Sequence, residues 1–288
     1  MSDNSQIHKM KRIVRNETVD RKRLRYVLDN QDLLREHIPT PHEITKLEYM
    51  EKAMGDQEEL EVTYEKDGPG RYKPSIRVGR RQEFAGLATL TREFRGYLSQ
   101  DHYFDLDMVN CHPVILNVLT ENEILKDYCQ NRAEFMSLHG VKKQDLLACL
   151  YDHYPSTRYT GILSTLNQQL RNVLVPELKK EFPLIWKRSK NKGNQVGSFL
   201  SSVVQFFETL LLNACLEFAK QKEVQVDVLI HDGFQVRVTP DLDIEGFIRD
   251  LTEYIRIQDF KGRSFPMQFL VKPFDNKIAL KLAEHSLL

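Results

Sequence analysis

The chain has 288 residues, 41% of them hydrophobic and 28% charged, proportions that exclude a disordered or fibrous protein. No apolar run approaches the roughly 18 residues of a membrane-spanning helix, and the opening MSDNSQIHKMKRIVR lacks the apolar core of a secretory leader. Lys and Arg number 41 and Asp and Glu 41, a balance that argues against indiscriminate attraction to polyanions. Cys111, Cys129, Cys149 and Cys215 form no CxxC pair, which argues against a zinc site and for a reducing, intracellular setting.

In chain order, residues 1–60 read as helical. Leu24, Val27, Leu28, Leu33 and Leu34 recur at helical spacing between Asp20 and Glu36, with Asn30 as an interruption. Thr40-Pro41-His42-Glu43 predicts a second helix, with Thr40 as N-cap, Pro41 at its first position and Glu43 closing a capping box. Turn chemistry at Asp67-Gly68-Pro69-Gly70 predicts a hairpin between Leu60–Tyr64 and Arg71–Pro74. Leu87 to Leu98 reads as a helix carrying Arg92 and Arg95. Tyr103 to Val109 alternates like a strand, and the apolar Pro113 to Leu119 reads as a buried helix. A helical middle follows, its longest element running from about Val196 to Lys222.

The period then changes. Val226–Ile230 and Phe234–Val238 flank His231-Asp232-Gly233, a strong hairpin signal in which Gly233 is expected to supply positive φ. Ile244 to Ile257 reads as a helix and Met267 to Val271 as a final strand. Strands at both ends with helices between them predict an α+β fold with an antiparallel sheet.

Two acidic positions stand out. Asp105 and Asp107 are two apart on a strand, so both carboxylates face one side. Asp232 sits at the tip of an apolar hairpin. If its strands lie beside the one carrying Asp107, carboxylates gather at one sheet edge. Such a pair could chelate two Mg²⁺ ions, which prefer oxygen ligands, for an in-line phosphoryl displacement. A lone DxD is common by chance, and HDG alone is more often a plain turn.

Longer strings are more specific. FDLDMVNCHPVIL (104–116) and LIHDGFQV (229–236) resemble the transposon–viral polymerases, a branch of the family A DNA polymerases related to single-subunit phage RNA polymerases. In that branch motif A reads D-x-D-x-x-N-x-H-P and motif C reads H-D-G, and both stand here. GLATLTREFRGYL (86–98) resembles the arginine-bearing helix before motif A. The likeness covers about residues 70–275.

The resemblance implies a polymerase right hand: an antiparallel palm sheet, a large helical fingers insertion and a helical N-terminal region. The divisions would be 1–60, palm at 61–120, fingers at 121–222 and palm again at 223–288. It implies template-dependent nucleotidyl transfer by a DNA polymerase or primase-polymerase, in replication of a virus or mobile element. Asp107 and Asp232 would hold two Mg²⁺ ions, with Mn²⁺ as a substitute and Asp105 as a further ligand or a support. Asn110 would orient the turn or a substrate oxygen. His112 stands where many DNA-making relatives have Glu against the sugar, which implies weak discrimination between dNTPs and rNTPs. Motif B asks for a cation and, eight positions later, an aromatic residue. Lys143 and Tyr151 have that spacing, His139 lies four before Lys143, Asp152 replaces the usual Gly, and Lys142 could take the phosphate role instead.

Two basic stretches, 71–95 and 171–192, each hold seven Lys or Arg against two acids. Both could track a phosphate backbone, with Arg80, Arg81, Arg92, Arg95, Lys190 and Lys192 as candidates and His231 near the primer end. Gln205 and Glu208 on the long helix suggest a buried hydrogen bond or, less readily, a template contact. The implied partners are a DNA primer-template, nucleoside triphosphates and a separate helicase, since no GxxxxGK[ST] motif is present; no membrane is implied. The rival readings are a DxD glycosyltransferase and a non-catalytic replication factor of polymerase shape.

Overall fold

The structure is a computed structural model that describes residues 11–34, 41–66, 68, 70–152, 158–190 and 192–284. The expected N-cap Thr40, the turn residues Asp67 and Pro69, the basic-loop residue Asn191 and the opening stretch through Met10 lie outside these. The chain forms two compact units. One is built from described residues up to Met108, from Cys215–Arg249 and from Phe269 onward; the other from Val109–Ala214 and Asp250–Gln268.

The first unit holds two four-stranded antiparallel sheets. The first sheet runs in chain order: β1 (Lys11–Thr18), β2 (Glu59–Lys66), β3 (Lys73–Val78) and β4 (Arg81–Glu83). The second joins β5 (Tyr103–Met108), β6 (Val226–Ile230), β7 (Gly233–Arg237) and β8 (Phe269–Lys272) in the order β6-β7-β5-β8. Helices α1 (Arg21–Asp29), α2 (Pro41–Met54) and α3 (Arg92–Ser99) complete its N-terminal part. The Asp20 side chain caps α1 and Asn30 ends it, as the interrupted pattern suggested.

β1 corrects the all-helical reading of residues 1–60. It pairs with β2 along its whole length, from Lys11 opposite Lys66 to Thr18 opposite Glu59. The alternation is hidden because Arg15 and Glu17 share the inward face with Ile13, so no apolar/polar pattern shows. The hairpin of β2 and β3 forms as expected. The expected helix over Leu87–Leu98 is broken: a 3₁₀ turn at Leu87–Thr89 gives way to extended backbone at Leu90 before α3 starts. Glu43 accepts hydrogen bonds from the Thr91 N–H and from Lys46; the capping box expected of it lies outside the described residues with Thr40.

Buried hydrogen bonds tie the two sheets together. Glu17 is fully buried and accepts from the Tyr64 hydroxyl and, at 2.7 Å, from the Leu87 N–H. The Tyr64 oxygen in turn accepts from the Leu229 N–H on β6. The Tyr103 hydroxyl of β5 accepts from the Thr18 N–H at 2.7 Å and donates to Asp227 at 3.1 Å. Arg237 of β7 donates to the same Asp227 carboxylate at 2.8 Å. Groups taken this far from water must be paired, because an unmet one costs about 1–3 kcal/mol.

The second unit is helical: α4 (Cys111–Thr120), α5 (Glu123–Gln130), α6 (Arg132–His139), α7 (Lys143–Tyr151), α8 (Gly161–Gln169), α9 (Val175–Glu181), α10 (Pro183–Ser189) and the first part of α11 (Gln195–Gln221). Phe182, Phe206, Phe207 and Phe265 pack ring against ring at 5.3–5.9 Å, edge-on in the first three pairs, which suits their quadrupoles, and tilted between Phe207 and Phe265. By length and mean hydropathy α11 is apolar enough to cross a membrane, which the search for an unbroken apolar run missed. Its Phe199, Leu200, Val203, Phe206, Phe207 and Leu211 are buried within the protein. The chain ends with α12 (Ile244–Ile257), matching the expected bounds, then β8 and α13 (Lys277–Glu284).

Glu17 gives this fold a pH signature. Burial pushes its carboxyl up to about 7 from 4.5, with Asp227 adding to the rise and the Tyr64 and Leu87 hydrogen bonds opposing it. The folded value lies above the unfolded one. The stability is therefore fully present below the unfolded value and is lost as pH rises through about 7. Urea unfolding should show the wild type losing on the order of 3 kcal/mol relative to Glu17→Gln between about pH 5 and about pH 8. Parallel profiles would place the Glu17 proton elsewhere.

Candidate active site

The carboxylates are set by one strand and one turn. On β5, Asp105 stands opposite Gln235 of β7 and Lys272 of β8, and Asp107 opposite Gly233 and Leu270. Cross-strand partners share a face, so Asp105, Asp107, Gln235 and Lys272 lie on one side of the sheet. Asp232 stands in the turn between β6 and β7, one position beyond Gly233. Its carbonyl accepts the Met108 N–H at 2.8 Å. The hairpin tip is thus fastened to the end of the strand that carries Asp107, the arrangement the apolar hairpin strands suggested.

Gly233 is needed here for space rather than for positive φ. It lies in β7, outside the positive-φ glycines of the described residues, and a Cβ built on it would collide with the Leu106 carbonyl. The absence of a side chain lets β7 close on β5 at this point.

The two strand carboxylates differ. Asp107 is partly exposed, with Lys272 Nζ 3.5 Å from its Oδ2. Asp105 is buried. Burial pushes its carboxyl up to about 6, opposed by the positive charges of Arg95, Lys272 and Arg92. Arg92 and Arg95, expected to track nucleic acid, are therefore close enough to act on Asp105. Arg92 also donates to the Pro273 carbonyl and Arg95 to that of Leu90. Arg80, Arg81 and His231 are exposed.

Among the described residues no group of three or more His, Cys, Asp or Glu side chains could hold a metal ion, so a three-carboxylate cluster with Asp105 does not form. Mg²⁺ asks for less, since it binds through one or two carboxylates and leaves its other positions to water and substrate phosphates; Asp107 and the turn that carries Asp232 lie at one end of the sheet. The signal for Lys272 was available in the sequence only through register, since nothing before β8 hints at its partner strand.

The second unit holds the other candidates. Asn110 adopts a left-handed conformation at the start of α4, one that Asn enters more readily than most residues, and accepts from Arg132 at 3.0 Å. His112 follows on α4. Its Nδ1 lies 2.8 Å from the Tyr151 hydroxyl and its Nε2 2.7 Å from Glu208 of α11. Glu208, for which the buried hydrogen bond was the favoured reading, is fully buried. Tyr151 is the last residue of α7, and Lys143 the first, exposed beside Lys142. His139 ends α6, exposed, with its ring tilted against that of Phe135 at 4.6 Å. Lys190 and Lys192 are exposed.

The end of α7 is held firmly. Asn194 donates to the Tyr151 carbonyl at 2.7 Å while its own oxygen caps α11 through Gly197. A Cβ at Gly197 would collide with that same carbonyl. Arg171, counted among the basic residues of its stretch, is buried and donates to the carbonyls of Leu150 and Asp152. It caps a helix C-terminus, where a cation is favoured, and is not offered to a ligand.

No protein-family model matches the chain, and none of the curated proteins does. Among solved structures the chain is similar to the POL domain of Pol1 from M. smegmatis in complex with DNA primer-template and dNTP, at 8% identity and a TM-score of 0.48, over 88% of this chain and 56% of that one. The chain thus spans about half the length of that structure.

Sequence reading also passed over Gln235. It is fully buried beside Asp105, and neither amide atom has a hydrogen-bond partner among the described residues. Gln235→Leu removes two unmet polar atoms from the interior, so urea unfolding should show a gain of about 1–3 kcal/mol; a loss would mean that the amide is satisfied in solution.

Proposed function

We propose that the chain is a template-dependent nucleotidyltransferase that extends a 3′ end, a DNA polymerase or primase-polymerase of a virus or mobile element. One observation carries the reading. The turn bearing Asp232 is hydrogen-bonded to the end of the strand bearing Asp107, and these are the residues of the two motifs on which the sequence resemblance rests. Those motifs lie more than a hundred residues apart in the chain, so their meeting at one sheet end is not a product of proximity in sequence.

Mg²⁺, or Mn²⁺ in its place, would supply Lewis acidity for a 3′-hydroxyl and for the departing pyrophosphate. The chain's own part is to hold and orient. Asp107 and Asp232 provide acceptor-only oxygens, and Asp105, flanked by Arg95 and Lys272, supports the strand between them. The 3′-oxygen forms its bond to the α-phosphorus as the bond to the β-phosphate bridge breaks, and the hydroxyl proton passes to solvent. Lys143 or Lys142 offers an ammonium to the triphosphate, whose charge grows as it leaves. Tyr151 offers an aromatic face to the nascent base pair. Arg80, Arg81, Lys190 and Lys192 would meet backbone phosphates, which positions a nucleic acid without reading its sequence. Strand opening would fall to a separate helicase.

Of the rivals, the glycosyltransferase finds no support in the topology, since both sheets of the described residues are antiparallel and offer no parallel β-α-β half for a nucleotide-sugar. The non-catalytic reading has one observation in its favour, the Lys272 ammonium beside Asp107, a cation already present where a metal would bind.

Primer extension with labelled dNTPs, with and without Mg²⁺, tests the proposal. Extension should require the metal, and Asp107→Asn and Asp232→Asn should each lower it about a hundredfold or more while leaving the unfolding curve in place. No extension on several primer-templates would defeat the reading. Lys272→Ala should lower the Mg²⁺ concentration that gives half-maximal rate, because it removes a competing cation. An unchanged metal titration would show that Lys272 leaves Asp107 free when substrate binds.

A further inference from the structure

A lysine is seldom taken out of water unless an acid meets it. Lys66, the last residue of β2, is 7% exposed. It stands directly opposite Lys11, the first residue of β1, and like charges in facing positions of a ladder are destabilising. Burial lowers the pKa of Lys66, and the charge of Lys11 lowers it further. Lys11 is the more exposed of the two. Partial burial lowers its pKa as well, with Glu217 of α11 acting in the opposite direction.

The ladder places no acid where it could relieve Lys66. Side chains alternate along β2, so Leu60, Val62, Tyr64 and Lys66 share one face while Glu59, Glu61 and Glu65 share the other. Glu65, next to Lys66 in the chain, pairs on that far face with Arg12. On the near face β1 brings Glu17, which stands at the other end of the ladder opposite Leu60 and is taken by Tyr64 and Leu87. Among the described residues no hydrogen bond or ion pair meets the Lys66 ammonium. Its Nζ is not one of the sealed polar atoms, so the stem is buried while the ammonium keeps contact with solvent. A positive charge is thus presented beside a second one, with its compensation missing from the chain itself.

We propose that Lys66 and Lys11 form a binding site for a phosphate group, on the first sheet and apart from the carboxylates of the second. Facing side chains on adjacent strands start about 4.5–5.5 Å apart at Cβ, which lets two ammonium groups reach different oxygens of one phosphate. Each ammonium only donates and each phosphate oxygen accepts, so the bonds are charge-assisted at both ends. The bound anion supplies the charge that the ladder lacks and offsets the repulsion between the two lysines. Such a site reads the phosphate and not what it is attached to. The group can therefore belong to a nucleic-acid backbone or to a small phosphate compound. The site does not depend on the nucleotidyltransferase reading, and its failure would leave that reading intact.

Lysine labelled at Cε should be followed by NMR while inorganic phosphate replaces chloride at constant ionic strength. The Lys66 and Lys11 signals should move together and saturate. The pKa of Lys66 should rise with phosphate bound, because an adjacent anion favours the charged form. Lys66→Met keeps the length of the buried stem without the charge and is expected to fold. Its affinity for inorganic phosphate, measured by calorimetry, should fall about tenfold, the worth of one charge-assisted hydrogen bond. Lys66→Arg keeps the charge and should retain an affinity nearer the wild type. Signals that respond no more to phosphate than to chloride would overturn the proposal. Equal affinity in the wild type and Lys66→Met would do the same, and so would an equal loss in Lys66→Met and Lys66→Arg, which would mark a packing role. A single-stranded oligodeoxynucleotide then identifies the source of the phosphate. If the ligand is a backbone phosphate, the slope of log K against log salt should be shallower in Lys66→Met by about 0.7, the share of one single-strand contact. An unchanged slope beside a weakened affinity for inorganic phosphate supports the site and assigns it to a small phosphate compound.

Discussion

β5 is a strand on which the first unit depends, because it carries the two strand carboxylates and also takes part in the bond between the sheets. It pairs with β7 on one side and β8 on the other. Leu106 and Met108 are buried on one face, while Asp105 and Asp107 occupy the other. At its start, Tyr103 anchors it to β1 through Thr18 and to β6 through Asp227. At its end, Met108 takes the carbonyl of Asp232. Since side chains alternate with a period of two, a slip of one residue would turn both carboxylates to the apolar face and move Leu106 and Met108 to the other. The apolar face therefore specifies where the acidic face lies, and the bare backbone of Gly233 permits the approach that completes it.

The two units treat buried charge in different ways. In the first, Glu17 lies where only hydrogen bonds from neutral donors reach it, and its proton is retained to about pH 7; it links the sheets as a largely neutral group. Asp227 instead has the Arg237 guanidinium at 2.8 Å, so its charge is met by a charge. In the second unit the two terminal nitrogens of Arg171 donate to carbonyls, a helix terminus standing in for an anion, while its Nε has no hydrogen-bond partner among the described residues. Each of these groups has its compensation close at hand, as burial requires. Gln235 is the contrast, since its amide meets no protein partner among the described residues although it lies on the candidate active face.

Elements whose periodicity is carried by apolar residues were legible. The β6–β7 hairpin, α11 and α12 all have largely apolar faces, and each forms close to its expected bounds. β1 was not legible, because its inward face carries Arg15 and Glu17 and its partner strand starts more than forty residues later; only tertiary pairing makes it a strand. That two sheets form and not one was hidden for the same reason. In the candidate site, Asp105, Asp107 and Asp232 were found because their motifs are local strings. Lys272 and Gln235 reach the same face only through cross-strand register. The His112–Glu208 contact spans 96 residues, and a glutamate in an apolar helix announces burial without naming its partner. Gly233 was read for conformational freedom when the physical need is space.

The even charge balance conceals how the basic residues are used. Within 171–192 the sequence offers seven cations against two acids. Burial of Arg171 withdraws one cation from the surface. Arg263, from the part of the chain before β8, grips Glu181 with two hydrogen bonds of 2.9 and 2.7 Å and so withdraws one acid. Six cations then face one remaining acid, Glu177, and the surplus of five is the same as before. Glu177 itself pairs with Lys180 at 2.9 Å, and Lys179 lies over the Trp186 ring at 3.8 Å; the remaining cations of the stretch, Lys187, Arg188, Lys190 and Lys192, are exposed charges of one sign on a short length of chain. A neutral protein can thus keep a surface that neutralises phosphates and releases their counterions, provided the compensating acids lie elsewhere, as the run of eight between Glu48 and Asp67 does. What the net charge excludes is attraction over the whole molecule; a local polyanion site is decided by which charges the fold has already spent.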